Sequence, residues 1–460
     1  MSGLFTGLTN AANALNAAQY GLNLTGQNIA NINTDGYARR LLNLVEVPPP
    51  DGRTGGSVDI GSVQAARDVL IEGRLRSSLS AEQQHSAMAN SLSVVETALG
   101  TTGSSIDGNL SAFFNAFGAL ASDPTSATLR SGVLAQGQQL AAAFGSMSAQ
   151  FDSAANAADA QIRGGVDQIN TLAAQLVKLN AALGSSNGVD TESLKDQQAV
   201  VLKSLAGLVD ISVMPRTDGG ADVTVGNGRA LVVGDSQYAM GVTSTPPSGY
   251  AAVTIGSGQT DITGEISGGT VGGLLHVRDT LVPAYKAQLD QLAYSVVQQV
   301  NTVHQAGYDL NGHAGVAFFT PLGAVSGAAA AMAVNPTVAA DGTLVAASGT
   351  GTAGDNTAAK TIAALQNARV VNGSATFVDS WSQLVYQVGS DAQTAKSNQT
   401  NAQTVVTAVQ QIRDGLSGVS LDQEATNMIM YQKAYQANAK YFATVNSALN
   451  TLMGMLGVTY

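Results

Sequence analysis

The sequence predicts a multi-domain, mainly α protein: a terminal α-helical coiled coil, an elongated helical domain with long helices from both halves of the chain, and a β-rich inserted domain. Three observations predict it. The chain has 460 residues, beyond the size at which a single hydrophobic core stops growing. Both ends carry apolar residues at alternating steps of three and four, the spacing of a heptad seam rather than a 3.6-residue core stripe. Between residues 209 and 263 the pattern switches to β-branched pairs cut by Gly and Asp turns, as in DISVMPRTDGGADVTVGNGRALVV. The expected units are therefore 1–45 with 419–460 as a terminal coiled-coil assembly domain, 46–208 with 264–418 as a helical rod-like domain, and 209–263 as the β-rich insert.

The first seam runs through Leu4, Leu8, Ala11, Leu15, Ala18, Leu22, Thr25, Ile29 and Ile32. Its counterpart at the other end runs through Leu421, Ala425, Met428, Gln432, Tyr435, Ala439, Phe442, Asn446, Leu449, Met453 and Leu456. A straight helix drifts by about 20° per heptad against such a seam, so holding it over several heptads implies a partner helix. Spacing leaves open whether that partner lies in the same chain or in another copy. The first 34 residues contain no charge and seven asparagines, whereas an ordinary two-stranded coiled coil sets its register with charged flanks. The flanks of this helix are expected to face protein on several sides. Asn, Thr and Gly are also poor helix formers, so alone the segment is marginal.

Between the ends, spaced apolar residues predict helices over 63–99, 105–120, 125–143, 152–183 and 192–205, then the β-rich insert, then a helix over 279–304. A looser Ala, Gly and Ser-rich stretch covers 323–356. A rod-length helix follows over 381–416. Gly415 and Gly418 break it, and Ser420 followed by Gln423 has the capping-box spacing for the terminal helix.

Composition narrows function. Charged residues are 12% of the chain, about half the ~25% of an ordinary soluble domain, while Asn, Gln, Ser and Thr supply the polarity, as suits a surface covered by neighbours. The net charge of -11 without a Lys or Arg run lacks the footprint of nucleic-acid binding. There is no cysteine, hence no disulfide, thiolate metal site or cysteine nucleophile. The first charged residue is Asp35 and the first basic one Arg39, so no Sec-type signal is expected. No apolar run reaches the ~18 residues of a membrane span. Gly349, Gly351 and Gly354 spell GxGxxG before Asp355, but the flanks form no βαβ unit, and a loop before a helix is the better reading. His304 and His313 fit neither a zinc helix nor a calcium loop. No catalytic, cofactor-binding or metal-ligating residue is assigned, and no enzyme is expected. An enzymatic site in the insert would have to be built without histidine, from scattered acids.

The first helix closes in NIANINTDGYARR, residues 28–40. Gly36 offers a helix-stopping left-handed conformation, and Arg39 and Arg40 suit the carboxyl end of the helix dipole. Through Asn28, Ala30, Asn31, Thr34, Gly36 and Tyr37 the string resembles the signature of the rod, hook and hook-associated axial proteins of the bacterial flagellum. FFNAFGALASDPTSATLR (113–130), ISGGTVGGLLHVRD (266–279), NTVHQAGYDLNGHAGVAFF (301–319), GDNTAAKTIAAL and SGVSLDQEATNMIMYQKAYQANAKYF resemble, within that superfamily, the hook-associated proteins of the hook-filament junction. The resemblance excludes roughly 214–263 and 323–351. It departs at LKDQQA (194–199), where the family often has an Arg and Asp pair.

The resemblance implies a structural subunit that leaves the cell through the flagellar export apparatus, with an export chaperone covering the carboxy-terminal helix. It implies a ring of identical subunits, with the hook protein on one side and the adjacent hook-associated protein on the filament side. The rival reading is a hook or distal-rod protein of the same superfamily. Those proteins place mostly β domains between their terminal helices, and the long inner helices argue against that.

Overall fold

The computed structural model describes residues 2–48, 56–99, 105–185, 191–245 and 249–455. Helix α1 (Ser2–Ala30) leads into a hairpin of β1 (Arg40–Val47) and β2 (Ser57–Ala65), followed by α2 (Val69–Leu99), α3 (Ile106–Ser122), α4 (Ala127–Ser185) and α5 (Thr191–Leu208). The insert has two antiparallel sheets. One is β3 (Ile211–Pro215), β4 (Ala221–Val225), β5 (Arg229–Val233) and β6 (Ser236–Gln237), and the other is β7 (Met240–Thr245), β8 (Tyr250–Ile255) and β9 (Thr260–Asp261). The chain returns through α6 (Gly269–His276), a π turn (Val277–Leu281) and α7 (Val282–Ala306). The short helices α8 (Ala328–Ala331), α9 (Pro336–Ala340) and α10 (Thr357–Ala364) precede the long α11 (Phe377–Ser417) and α12 (Leu421–Met455).

Two differences from the periodicity have plain causes. The helices expected over 125–143 and 152–183 are one 59-residue helix, because Phe144, Met147, Ser148 and Phe151 carry the buried stripe across the interval. Residues 63–65 belong to β2, and α2 starts at Val69, where Asp68 accepts from the amides of Leu70 and Ile71 and so caps the helix.

Two large cores result. The first joins the end of α2, α3, the first half of α4, α7, the start of α11 and the segment between α7 and α11. At its centre Phe113, Phe117, Phe318 and Phe319 meet edge to face, with Phe318 and Phe319 centroids 4.9 Å apart. The Ala-rich stretch expected to be loose is packed into this core through Ala328, Ala329, Val338, Val345 and Ala347. The second core lies between the later half of α4, α5, α6 and the inner faces of both sheets. Arg278, turned inward by the π turn and almost wholly buried, ties the two together. It donates to Asp159 of α4 at 2.6 Å and to the carbonyl of Ala251 at 2.9 Å.

Candidate assembly interface

Helices α1 and α12, whose first residues Ser2 and Leu421 stand 419 positions apart in the sequence, pack along one another as a pair within one chain. The line of contact on α1 is made of small residues: Ala11, Ala18, Gly21, Thr25 and Asn28 are buried, with Ala17 and Leu24 beside them. Small residues are needed because α12 fills the space. A Cβ on Gly21 would lie 2.5 Å from the Tyr431 ring, and one on Gly7 would lie 3.1 Å from the Tyr441 hydroxyl. On α12 the buried groups are Glu424 and Val445.

Of the residues expected in the first seam, Ala11, Ala18 and Thr25 lie on this line, and the large apolar ones sit to one side of it. Leu4, Leu8, Leu15, Leu22 and Ile29 are half-buried, and Ile32 lies beyond the helix in an exposed turn. On α12, Leu421, Met428 and Tyr435 are exposed, and Phe442, Leu449 and Met453 are half-buried. Leu456 lies outside the described residues. The physical reason is that periodicity finds the most apolar face of a helix, whereas close approach of two helices selects the smallest residues. Phe5, Ile429, Met430 and Tyr441 add to the exposed apolar surface.

The motif after α1 builds the joint that holds this pair to the body. Asn28 uses its whole amide. Its Nδ2 donates to the Arg40 carbonyl at 3.0 Å and to Glu424 Oε2 at 3.1 Å. Its Oδ1 accepts from the Arg40 amide at 2.9 Å and the Tyr37 hydroxyl at 2.8 Å. Asn31 accepts from the Thr34 hydroxyl at 3.1 Å and donates to the Gln27 carbonyl at 2.9 Å, closing the turn. Ala30 is exposed. Gly36 adopts φ +79°, and a Cβ there would meet Val200 at 2.5 Å and the Asp196 carbonyl at 2.9 Å, so the turn lies directly on α5. The Arg40 guanidinium stacks over Tyr37, 4.9 Å from the ring centroid, and burial pushes the Tyr37 phenol up.

Asp196 of the divergent LKDQQA string receives both Arg40 and Arg67. The polar contact at this position thus exists, with its arginines supplied from the start and end of the hairpin rather than from α5. The Arg39 amide donates to the Ser417 carbonyl at 2.8 Å, and its guanidinium reaches Gln423. Gln423, expected in a capping box, serves this contact, while Thr376 and Asp379 form a complete capping box at the start of α11. One turn of chain therefore clasps α1, the hairpin, α5 and the break between α11 and α12. Sequence periodicity gives no sign of the hairpin or of Glu424 as a buried partner, since Glu424 shares the first turn of α12 with a second acid, Asp422.

The other candidates have structural occupations. His304 is fully buried, with Nε2 accepting from the Ala346 amide at 2.8 Å and Nδ1 meeting the Val316 carbonyl at 2.5 Å. His313 is 77% exposed, 3.4 Å from Asp309. In the GxGxxG loop, Asp355 accepts from the amides of Gly349 and Thr350 at 2.7 and 2.9 Å, so the donors that would cradle a pyrophosphate are already used. The Thr357 hydroxyl and these amides hold Asp355 well below the usual carboxylate range. Among the described residues, no helix is long and apolar enough to cross a membrane.

The family model for the flagellar hook-associated protein FlgK helical domain matches residues 92–319. That for the flagellar basal body rod FlgEFG protein C-terminal matches residues 416–455, the span of α12. Flagellar hook-associated protein 1 of Bacillus subtilis is 27% identical over 505 residues, covering 100% of this chain and 99% of that protein. Its Escherichia coli counterpart is 25% identical, with 97% and 99% covered. The solved flagellar hook junction protein FlgK from Burkholderia pseudomallei shares the fold, with a TM-score of 0.68 at 15% identity over 75% of this chain and 100% of that one.

Proposed function

The chain belongs to the flagellar hook-associated protein 1 family, and on that premise we propose that its terminal helix pair builds the junction between hook and filament by packing against further copies of itself. It is a structural component of the extracellular flagellum. The observation that carries the reading is the apolar surface left open on that pair: Leu421, Ile429, Met430 and Tyr441 are each half or more exposed. Monomeric proteins rarely leave so many large apolar groups together on one element. In a ring of subunits, Leu4, Leu8, Leu15, Leu22, Ile29, Ile32, Met428, Tyr435, Phe442, Leu449, Met453 and Leu456 complete this surface.

Hook protein on one side and the adjacent hook-associated protein on the other meet the ring. The flagellar export apparatus delivers the chain, and an export chaperone shields the apolar face of α12 beforehand. The role is mechanical, and no catalysis is assigned to it. Antibody-gold labelling of isolated flagella tests the reading: labels should cluster at the base of the filament, and labels spread along the hook or rod overturn it.

A further inference from the structure

The β1–β2 hairpin is a two-stranded sheet with apolar side chains in solvent. Leu44, Val45 and Val47 are about two-fifths exposed. Two acids stand among them, Glu46 and Asp59, both exposed, and neither makes an ion pair among the described residues. A two-stranded sheet of this kind is marginal in water by itself. The hairpin rests on α1, where Asn13 donates to the Ser57 hydroxyl at 2.9 Å, and it leaves these acids and apolar side chains open on its outer side.

Elsewhere on the chain lies a groove of ≈600 Å³ between the start of α2, α5 and the β3–β4 hairpin. Val69, Val213 and Pro215 give it apolar walls, and Arg76 stands in it. The other charges in the lining are matched: Arg67 by Asp196, Lys195 by Glu192, Arg216 by Asp218, and Glu72 by Arg413. Arg76 alone has no carboxylate within ion-pair distance and no hydrogen bond among the described residues. Burial lowers its affinity for its proton, offset in part by the charge of Glu72 one turn earlier on α2.

We propose that this groove receives the β1–β2 hairpin of a second copy of the chain, with Glu46 meeting Arg76 and Val45 and Val47 covered by Val69, Val213 and Pro215. This rests on the junction reading above and names a contact within the ring. Charge and polarity match on both sides, which favours this occupant over an unrelated partner. The hairpin cannot fill its own groove. Ala65, at the base of β2, already lines it, and Glu46 stands six positions along β1 from Arg40 at its base, roughly 20 Å at 3.3 Å per residue. The contact is heterologous, one surface meeting a different one, which is the kind that closes into rings.

The absence of native cysteine makes the test direct. A chain carrying both Glu46→Cys and Arg76→Cys, assembled into flagella and mildly oxidised, should give disulfide-linked dimers and higher multimers, while each single variant should stay monomeric. Only monomers from a double variant present in the flagella overturn the pairing and leave the junction reading standing. A wild-type chain absent from isolated flagella overturns the junction reading itself. Exchange of charge covers the case in which the cysteine chain does not assemble. Glu46→Arg or Arg76→Glu alone should weaken ring assembly about tenfold, the effect of losing one charge-assisted contact. The two together should restore it, and failure to restore overturns the proposal.

Discussion

Asn28 meets four polar groups in a place closed to water: both backbone groups of Arg40, the Tyr37 hydroxyl and the buried carboxylate of Glu424. Truncation leaves them without a partner, and stranded buried groups cost more than the bonds themselves contribute. Asn28→Ala should lose about 3 kcal/mol in urea unfolding. Asn28→Asp should be worse despite its similar size, since a carboxylate cannot donate and would face Glu424. Finding the aspartate variant as stable as wild type would remove Asn28 from this role. His304 supplies a second prediction. Ala346 donates to Nε2, so Nδ1 carries the proton that binds the Val316 carbonyl. Burial lowers the imidazole from 6.5 to about 4. Below pH 6.5 the unfolded chain takes up a proton that the folded chain refuses, so stability falls as pH drops and levels off near the folded value. The expected loss from His304 is about 2 kcal/mol between pH 7 and pH 5. Equilibrium unfolding at the two pH values measures it, and His304→Gln should flatten the slope.

At the scale of elements, α1 and α12 pair through smallness rather than through leucine. Gly21 and Gly26 of α1 separate packing from propensity, because both are helical glycines. A Cβ at Gly21 would sit 2.5 Å from the Tyr431 ring, whereas nothing lies within 4 Å of one at Gly26. Gly26→Ala should therefore stabilise α1, by up to about 1 kcal/mol of helix propensity. Gly21→Ala should push α12 away and lower the melting temperature of the pair. Thermal melts of the two variants followed by circular dichroism give the comparison, and equal melts would mean that the pair does not approach as described. The helical ends, the β-rich insert and the glycine joint were all legible, since each leaves a periodic or compositional trace over many residues. The contact line was legible only in part. Spacing put Ala11, Ala18 and Thr25 in the seam on an equal footing with Leu15 and Leu22, but it did not mark Gly21, whose closeness to α12 is set by a tyrosine some 400 residues away. The motif from Asn28 to Tyr37 stood out as a string, but its partners Glu424, Asp196 and Arg67 come from three distant segments, and no local pattern links them.

Over the whole molecule, burial divides sharply. The body between the terminal helices holds both large cores, with residues such as Phe113, Leu140, Ile162, Leu205 and Val296 fully enclosed. In α12, by contrast, only Glu424 and Val445 are buried. A helix with so little of its apolar surface removed from water draws its stability from what packs on it, here α1 and, in the proposed ring, neighbouring copies. The body should accordingly fold without the ends. Removing residues 1–39 together with 416–460 takes away α1, α12 and the clasp around Asn28, yet leaves both large cores and the Arg278–Asp159 tie between them intact. That shortened chain should unfold in one or two cooperative transitions at temperatures close to those of the full chain, and should fail to join hook to filament when supplied in place of it. Loss of cooperative melting in the shortened chain would show that the ends are part of the folding unit, and assembly by it would show that the helix pair is dispensable for the junction.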